Sequence, residues 1–179
     1  MRHGSQFAPK AGSMLGTLKK LGLTLGLTLG LAFGALSGTA RASHYAVGDV
    51  PTLISAGDAA KLTKAGVATT EDLLQKGAKA PDRKALAKSS GLKASTLMEL
   101  VRRADLLRIK GVGPEMVLLL EAAGVKSVAD LAKKEAPALT TAADAANKAK
   151  KITEKPPTEP QFQDWIDQAK KLPAVIEGK

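Results

Sequence analysis

One short stretch of the chain has residue types and spacing suited to gripping an anion: Ile109-Lys110-Gly111-Val112-Gly113, followed by Pro114. Two glycines around one apolar residue permit a positive φ or a close backbone approach, while the apolar side chain turns in between helices. The pattern opens a helix, so unpaired amides and the positive end of the helix dipole face outward together, as at other phosphate-holding helix N-termini. Arg102, Arg103, Arg108 and Lys110 add positive charge alongside, and Val112 is the apolar residue between the glycines. Such contacts hold a nucleic-acid backbone without reading its bases. The competing reading is a tight turn between packed helices, and it is the favoured one. Pro114 has no amide to donate, and Glu115 would repel a phosphate.

Elsewhere the chemical inventory is thin. The chain has no cysteine, so thiolate metal sites, Cys-His nucleophiles and disulfide staples are ruled out. Of two histidines, only His44 lies beyond the first 42 residues, and a Ser-His-Asp arrangement would need a buried imidazole. Asp72 and Asp130 each stand three residues after a capping Thr or Ser, where capping and the helix dipole account for a carboxylate. No catalytic, cofactor-binding or metal-binding residue is assigned, and the expectation is a protein that is not an enzyme.

The elements that position the glycine turn belong to a repeat. Ala65-Gly66-Val67-Ala68-Thr69-Thr70-Glu71-Asp72-Leu73 returns 58 positions later as Ala123-Gly124-Val125-Lys126-Ser127-Val128-Ala129-Asp130-Leu131, with Leu62 and Leu120 in step upstream. Each copy is expected to need the other to complete a core. At that offset Leu53, Ile54 and Ser55 stand where the second copy has Gly111, Val112 and Gly113. The first turn therefore lacks both glycines, and at most one turn suits a phosphate.

From Asp58 onward the reading is helix after helix. Leu97, Leu100, Val101, Ala104 and Leu107 form one stripe of a helix over about 95–107. Met116, Leu119, Leu120 and Ala123 face inward from the next, about 114–123. Pro81 opens a helix at about 82–89. Gly66, Gly91 and Gly124 suit left-handed positions after helix ends, and Thr69 or Thr70, Ser95, Ser127 and Thr141 suit N-caps. Residues 135–151 read as an Ala- and Lys-rich helix contributing Leu139 and Ile152 to the core. After Pro156-Pro157, Thr158-Glu159-Pro160-Gln161 starts a last helix carrying Phe162, Trp165, Ile166, Ala169 and Leu172. Phe162 and Trp165 are candidates for a partner surface, although burial of the Trp165 ring is the stronger expectation.

Residues 1–42 read as a secretory signal. Lys19 and Lys20 precede an apolar run, Leu21 to Leu36, and Ala40-Arg41-Ala42 offers small residues for cleavage. Met14 is an alternative start. An uncleaved inner-membrane anchor through residues 21–36 is the lesser alternative, because a span wants about 20 apolar residues. Five of the 27 basic residues and none of the 17 acidic ones lie in 1–42. Without the leader, 22 basic face 17 acidic residues, so the balance falls from +10 to +5. Half of the basicity thus belongs to the leader. The remainder favours solubility and weak attraction to anions, and names no partner.

Residues of about 50–173 resemble the uncharacterised bacterial family called domain of unknown function 4332, itself similar to tandem helix-hairpin-helix domains. The stretches that carry this are Leu62-x-x-Ala65-Gly66-Val67-x-Thr69-Thr70-x-Asp72-Leu73-Leu74, Arg83-Lys84-x-Leu86-Ala87 and Arg103-Ala104-Asp105-Leu106-x-Arg108-Ile109-Lys110-Gly111-Val112-Gly113. Leu118-Leu119-x-x-Ala122-Ala123-Gly124-Val125 and Trp165-Ile166-x-Gln168-Ala169-Lys170-x-Leu172 complete them. The resemblance implies a fold and no established activity. Helix-hairpin-helix DNA glycosylases are similar at the turn, and many carry a lysine two residues after the second glycine. Glu115 holds that place here, so the glycosylase reading fails.

The expected fold is all-α: a compact tandem helix-hairpin-helix-like domain of the SAM/helix-hairpin-helix type, with short helices and a C-terminal helix. Its boundaries are a signal peptide at 1–42, a flexible N-terminus at 43–50, the domain at 51–173 and a flexible tail at 174–179. The expected function is an exported, periplasmic or secreted, non-enzymatic interaction or scaffold module with an unknown protein partner and no membrane span after cleavage. The alternative is sequence-independent binding of DNA or another polyanion through 109–113.

Overall fold

The structure is a computed structural model that describes residues 44–178, so the leader, Met14 and the 21–36 anchor lie outside the described residues. Among these the fold is all-α, with eight helices: α1 Ala56–Lys64, α2 Thr70–Gly77, α3 Ala80–Ser90, α4 Ala94–Leu106, α5 Pro114–Ala122, α6 Val128–Leu131, α7 Ala136–Lys150 and α8 Glu159–Lys171. A single bridge of extended backbone joins Ala46 to Thr69. No described helix is long and apolar enough to cross a membrane.

The sequence repeat is a repeat of backbone geometry. Helices α1 and α5 start and stop 58 positions apart, and α2 and α6 start 58 apart. After α1, Gly66 turns left-handed at φ 78°, as Gly124 does at 83° after α5. The amides that follow close back on the helix: Val67 N–H donates to the Leu62 carbonyl at 2.9 Å, and Val125 N–H to that of Leu120 at 2.8 Å. This closure needs a residue without a Cβ penalty at the left-handed position. Thr69 then caps α2, its Oγ1 accepting from Asp72 N–H at 3.0 Å, and Ser127 caps α6 by accepting from Asp130 N–H at 3.1 Å.

The duplication reaches further than that phrase. Helices α4 and α8 are both 13 residues long. Their inner stripes match at an offset of 65: Leu97, Leu100, Val101 and Ala104 against Phe162, Trp165, Ile166 and Ala169. Packing repeats as well. In the first unit α1 lies on α3, α2 on α4 and α3 on α4; in the second α5 lies on α7, α6 on α8 and α7 on α8. Each unit is thus four helices, and the seven extra residues of the second fall between α6 and α8. Leu62, Leu73, Leu97 and Leu107 of the first join Leu119, Leu120, Leu131, Phe162 and Ile166 of the second in one apolar cluster, all nearly inaccessible to solvent. At roughly 1.5–3 kcal/mol for each large side chain buried, this shared interior is the main stabilising term.

Two expectations need correction. Ser95 is not a cap: α4 starts at Ala94 after Lys93, placing Ser95 inside the first turn. Thr141 lies within α7 and donates to the Pro137 carbonyl, because the helix already begins at Ala136. The α5 stripe does face inward: Leu119 and Leu120 are buried, Met116 and Ala123 pack half-buried against the core, and Val117 widens the buried face. The described ends of the chain, 44–50 and 174–178, both make backbone hydrogen bonds with the helical domain. Val47 and Val50 are buried, with Val47 N–H donating to Ala68 and Thr70 N–H to Tyr45. At the other end Glu177 N–H donates to the Ala78 carbonyl. The buried Arg83 guanidinium donates to Gly77, Ala78 and Glu177 carbonyls, so the negative end of α2 and the tail share one cation.

Candidate functional site

The glycine turn connects α4 to α5, and α8 lies across it. Gly111 has φ 89°, which favours glycine, and a Cβ there would sit 3.1 Å from Nε1 of Trp165. Gly113 is extended at φ −95° and ψ −177° and is the N-cap of α5. Val112 is buried and its amide donates to the Ile109 carbonyl. Gln168, one turn along α8 from Asp164, reads the Lys110 peptide from both sides. Its Oε1 accepts from Lys110 N–H at 2.9 Å and its Nε2 donates to the Lys110 carbonyl at 3.2 Å. The Asp164 carboxylate accepts from the same Nε2 at 2.8 Å and fixes the amide's orientation. Turn and helix together border an open groove of about 860 Å³, lined among others by Lys110, Gly111, Gln161, Asp164, Trp165 and Lys171.

The cations grouped by sequence are divided by the fold. Arg103 donates through Nε to both carboxylate oxygens of Glu121, at 2.9 and 3.1 Å, and through Nη1 to the Leu53 carbonyl at 2.6 Å. It ties α4 to α5 and to the first turn. Arg108 donates to Asp105 at 2.7 Å and to the Pro173 carbonyl at 3.1 Å. Asp105 is itself buried, and its other oxygen accepts from Val128 N–H at 2.8 Å, so it caps α6 from a distance. Arg102 is half-buried and lies away from the groove, beside Met98 and Glu99. Lys110 has an exposed side chain and, with Lys171 and one edge of Arg108, supplies the positive charge of the groove.

The two aromatic candidates face inward. Phe162 is fully buried and Trp165 is 5% exposed, with ring centroids 5.4 Å apart and planes at 85°. Phe162 offers no surface to a partner, since every edge of the ring is enclosed by the core. Trp165 contributes only the part of its indole that lines the groove. At the first turn, Leu53 and Ile54 enter the core at 2% exposure each, and Ser55 caps α1 by accepting from Asp58 N–H. Gln168 escaped the sequence reading because a lone surface glutamine carries no pattern. Aligning α8 with α4 would have found it, for it takes the place of Arg103.

Asp72 accepts from the amides of Ala68 and Thr69 at 3.1 and 3.0 Å. The Ala68 bond foremost, then the Thr69 hydroxyl, holds its carboxyl below the ordinary 3.8. His44 is exposed and its Nε2 is 3.6 Å from Glu71. Both arrangements lie at helix starts and chain ends, away from the groove.

No curated protein and no solved structure shows a significant match to the chain. A family model, described as Domain of unknown function (DUF4332), matches residues 53–172, from the first turn to the end of α8. That span takes in both four-helix units, the glycine turn and the helix seated on it, and the chain belongs to this family.

Proposed function

We propose that the chain is an exported, non-enzymatic interaction module of tandem helix-hairpin-helix-like design, binding a protein partner of the cell envelope at the groove between the 108–113 turn and α8. The observation that carries this reading is the seating of α8 on the turn. It engages the Lys110 amide with Gln168, lays Trp165 against Gly111 and brings Asp164 beside the turn. A series of backbone phosphates needs several free cations in a row, and Arg103 and Arg108 are already engaged with Glu121 and Asp105. A groove of mixed polarity, with Lys110, Lys171 and Asp164 set around apolar walls, suits a peptide segment better.

Two measurements test the reading. A photo-crosslinking residue at Gln161, in the groove, is expected to trap a discrete partner in living cells, whereas the same group at exposed Lys88 is not. Duplex DNA is the rival. If mature protein binds it with an affinity that falls about 10²-fold or more over a fourfold rise in salt, and Lys110→Glu abolishes that binding, the polyanion reading replaces this one. N-terminal sequencing of the native protein tests export: cleavage after Ala42 supports it, and an intact start at Met14 overturns it.

A further inference from the structure

Trp165 is 95% withdrawn from solvent, and its indole N–H makes no side-chain hydrogen bond among the described residues. It is not sealed in the interior either, because no wholly inaccessible side-chain nitrogen lacks a partner and the ring lines the groove. An indole N–H that reaches solvent and has no protein acceptor is free to donate to a ligand. Gly111 is the reason it stays reachable: a Cβ at that position would stand 3.1 Å from Nε1. The exposed ammonium groups of Lys110 and Lys171 border the same space. Leu172, Pro160 and the indole edge give it apolar walls.

We infer that this groove is a carboxylate-binding site for an acidic side chain on an extended peptide segment, with the Trp165 indole N–H as the donor at its floor and Lys110 and Lys171 as the charges at its rim. The inference rests on the protein-partner reading and names its chemistry. One carboxylate satisfies the indole donor. A second negative group nearby meets Asp164, whose carboxylate is held by Gln168. This arrangement favours a single acid between apolar neighbours over a run of phosphates.

Trp165 is the sole tryptophan, so a proton–nitrogen NMR spectrum of the protein holds one indole resonance. The probes are the capped peptides acetyl-Leu-Glu-Val-amide and acetyl-Leu-Gln-Val-amide, inorganic phosphate and a twelve-base-pair DNA duplex. The Glu peptide is expected to move the indole proton downfield and saturably, the Gln peptide at least tenfold more weakly. Lys110→Ala and Lys171→Ala should each weaken the Glu peptide about 2–5-fold, as exposed charges do, with the remaining spectrum unchanged. Equal responses to both peptides, or none to either, overturn the site. A response to duplex and phosphate but not to the Glu peptide assigns the groove to phosphates and overturns it too. A silent indole with cross-links from Gln161 intact removes the carboxylate site alone, whereas loss of both removes the protein-partner reading with it.

Discussion

Replacing Gly111 by alanine tests the contact on which the site is built. At φ 89° an alanine pays about 1–2 kcal/mol for the left-handed backbone, of which about 0.4–1 kcal/mol returns through a less flexible unfolded chain. Backbone alone therefore predicts a loss of about 1 kcal/mol. Gly124 provides the control, with φ 83° and nothing within 4 Å of an added Cβ. At Gly111 the Cβ also meets the indole nitrogen at 3.1 Å, and Trp165 is held by Phe162 and the core. Driving that ring off its rotamer adds about 0.5–1.5 kcal/mol. Gly111→Ala should thus cost more than Gly124→Ala by that amount in urea unfolding followed by circular dichroism. It should also shift the emission of the single tryptophan, which Gly124→Ala leaves alone. A third variant, Gly113→Ser, copies Ser55 from the first unit into an extended position with free space around it; it should gain a few tenths of a kcal/mol by capping α5. Equal losses for the two alanines, with emission unchanged, would refute the seating of α8 on the turn.

Three other perturbations follow from the same geometry. Asp105→Ala leaves the buried Val128 amide without its acceptor and half-buried Arg108 with only the Pro173 carbonyl, and a loss of about 1–3 kcal/mol is expected in urea unfolding; Asp105→Asn, which still accepts from Val128, should lose clearly less. Lys151 ends α7 at φ 49° without being glycine, so Lys151→Gly should raise stability by about 0.5–1 kcal/mol, read as a higher melting temperature. Asp72 has a folded pKa below its ordinary 3.8, so its contribution is complete above 3.8 and is lost as pH falls through the lowered value. The slope of stability against pH below 3.8 should be shallower in Asp72→Asn than in wild type, and identical slopes would contradict the capping role.

Fold class, most helix positions and the first half of the duplication were legible because they rest on local rules. Glycine after a helix, Thr or Ser before one and apolar residues three and four apart act within a few residues of each other. Ser95 and Thr141 misled because a hydroxyl can serve as a cap or sit inside a helix, and only the start of the helix decides. The second half of the duplication was hidden by the seven-residue insertion and by changes of size. Leu100 and Trp165 match in register but not in kind, so the two stripes read as unrelated helices. The partners of the arginines were not legible at all. Glu121 is 18 residues from Arg103, and the Leu53 carbonyl is 50; no spacing rule spans such distances.

The two units differ at their turns in a way that leaves room for a ligand only at the second. In the first unit the turn spends its side chains on the interior, with Leu53 and Ile54 buried, and α4 meets it through the Arg103 guanidinium on a carbonyl. In the second, bulk has moved from the turn to the helix. Gly111 stands for Leu53, Trp165 for Leu100, and Gln168 for Arg103. The exchange keeps one large side chain where turn and helix meet, carried by the helix alone. It does not conserve polarity. Leucine brings no hydrogen-bonding group, whereas the indole brings a donor to a position where a glycine leaves it uncovered. Apolar side chains at both 111 and 165, as at Leu53 and Leu100, would serve the packing without bringing a donor. The polar atom is the part of the substitution that packing does not require, and the groove is the space it borders.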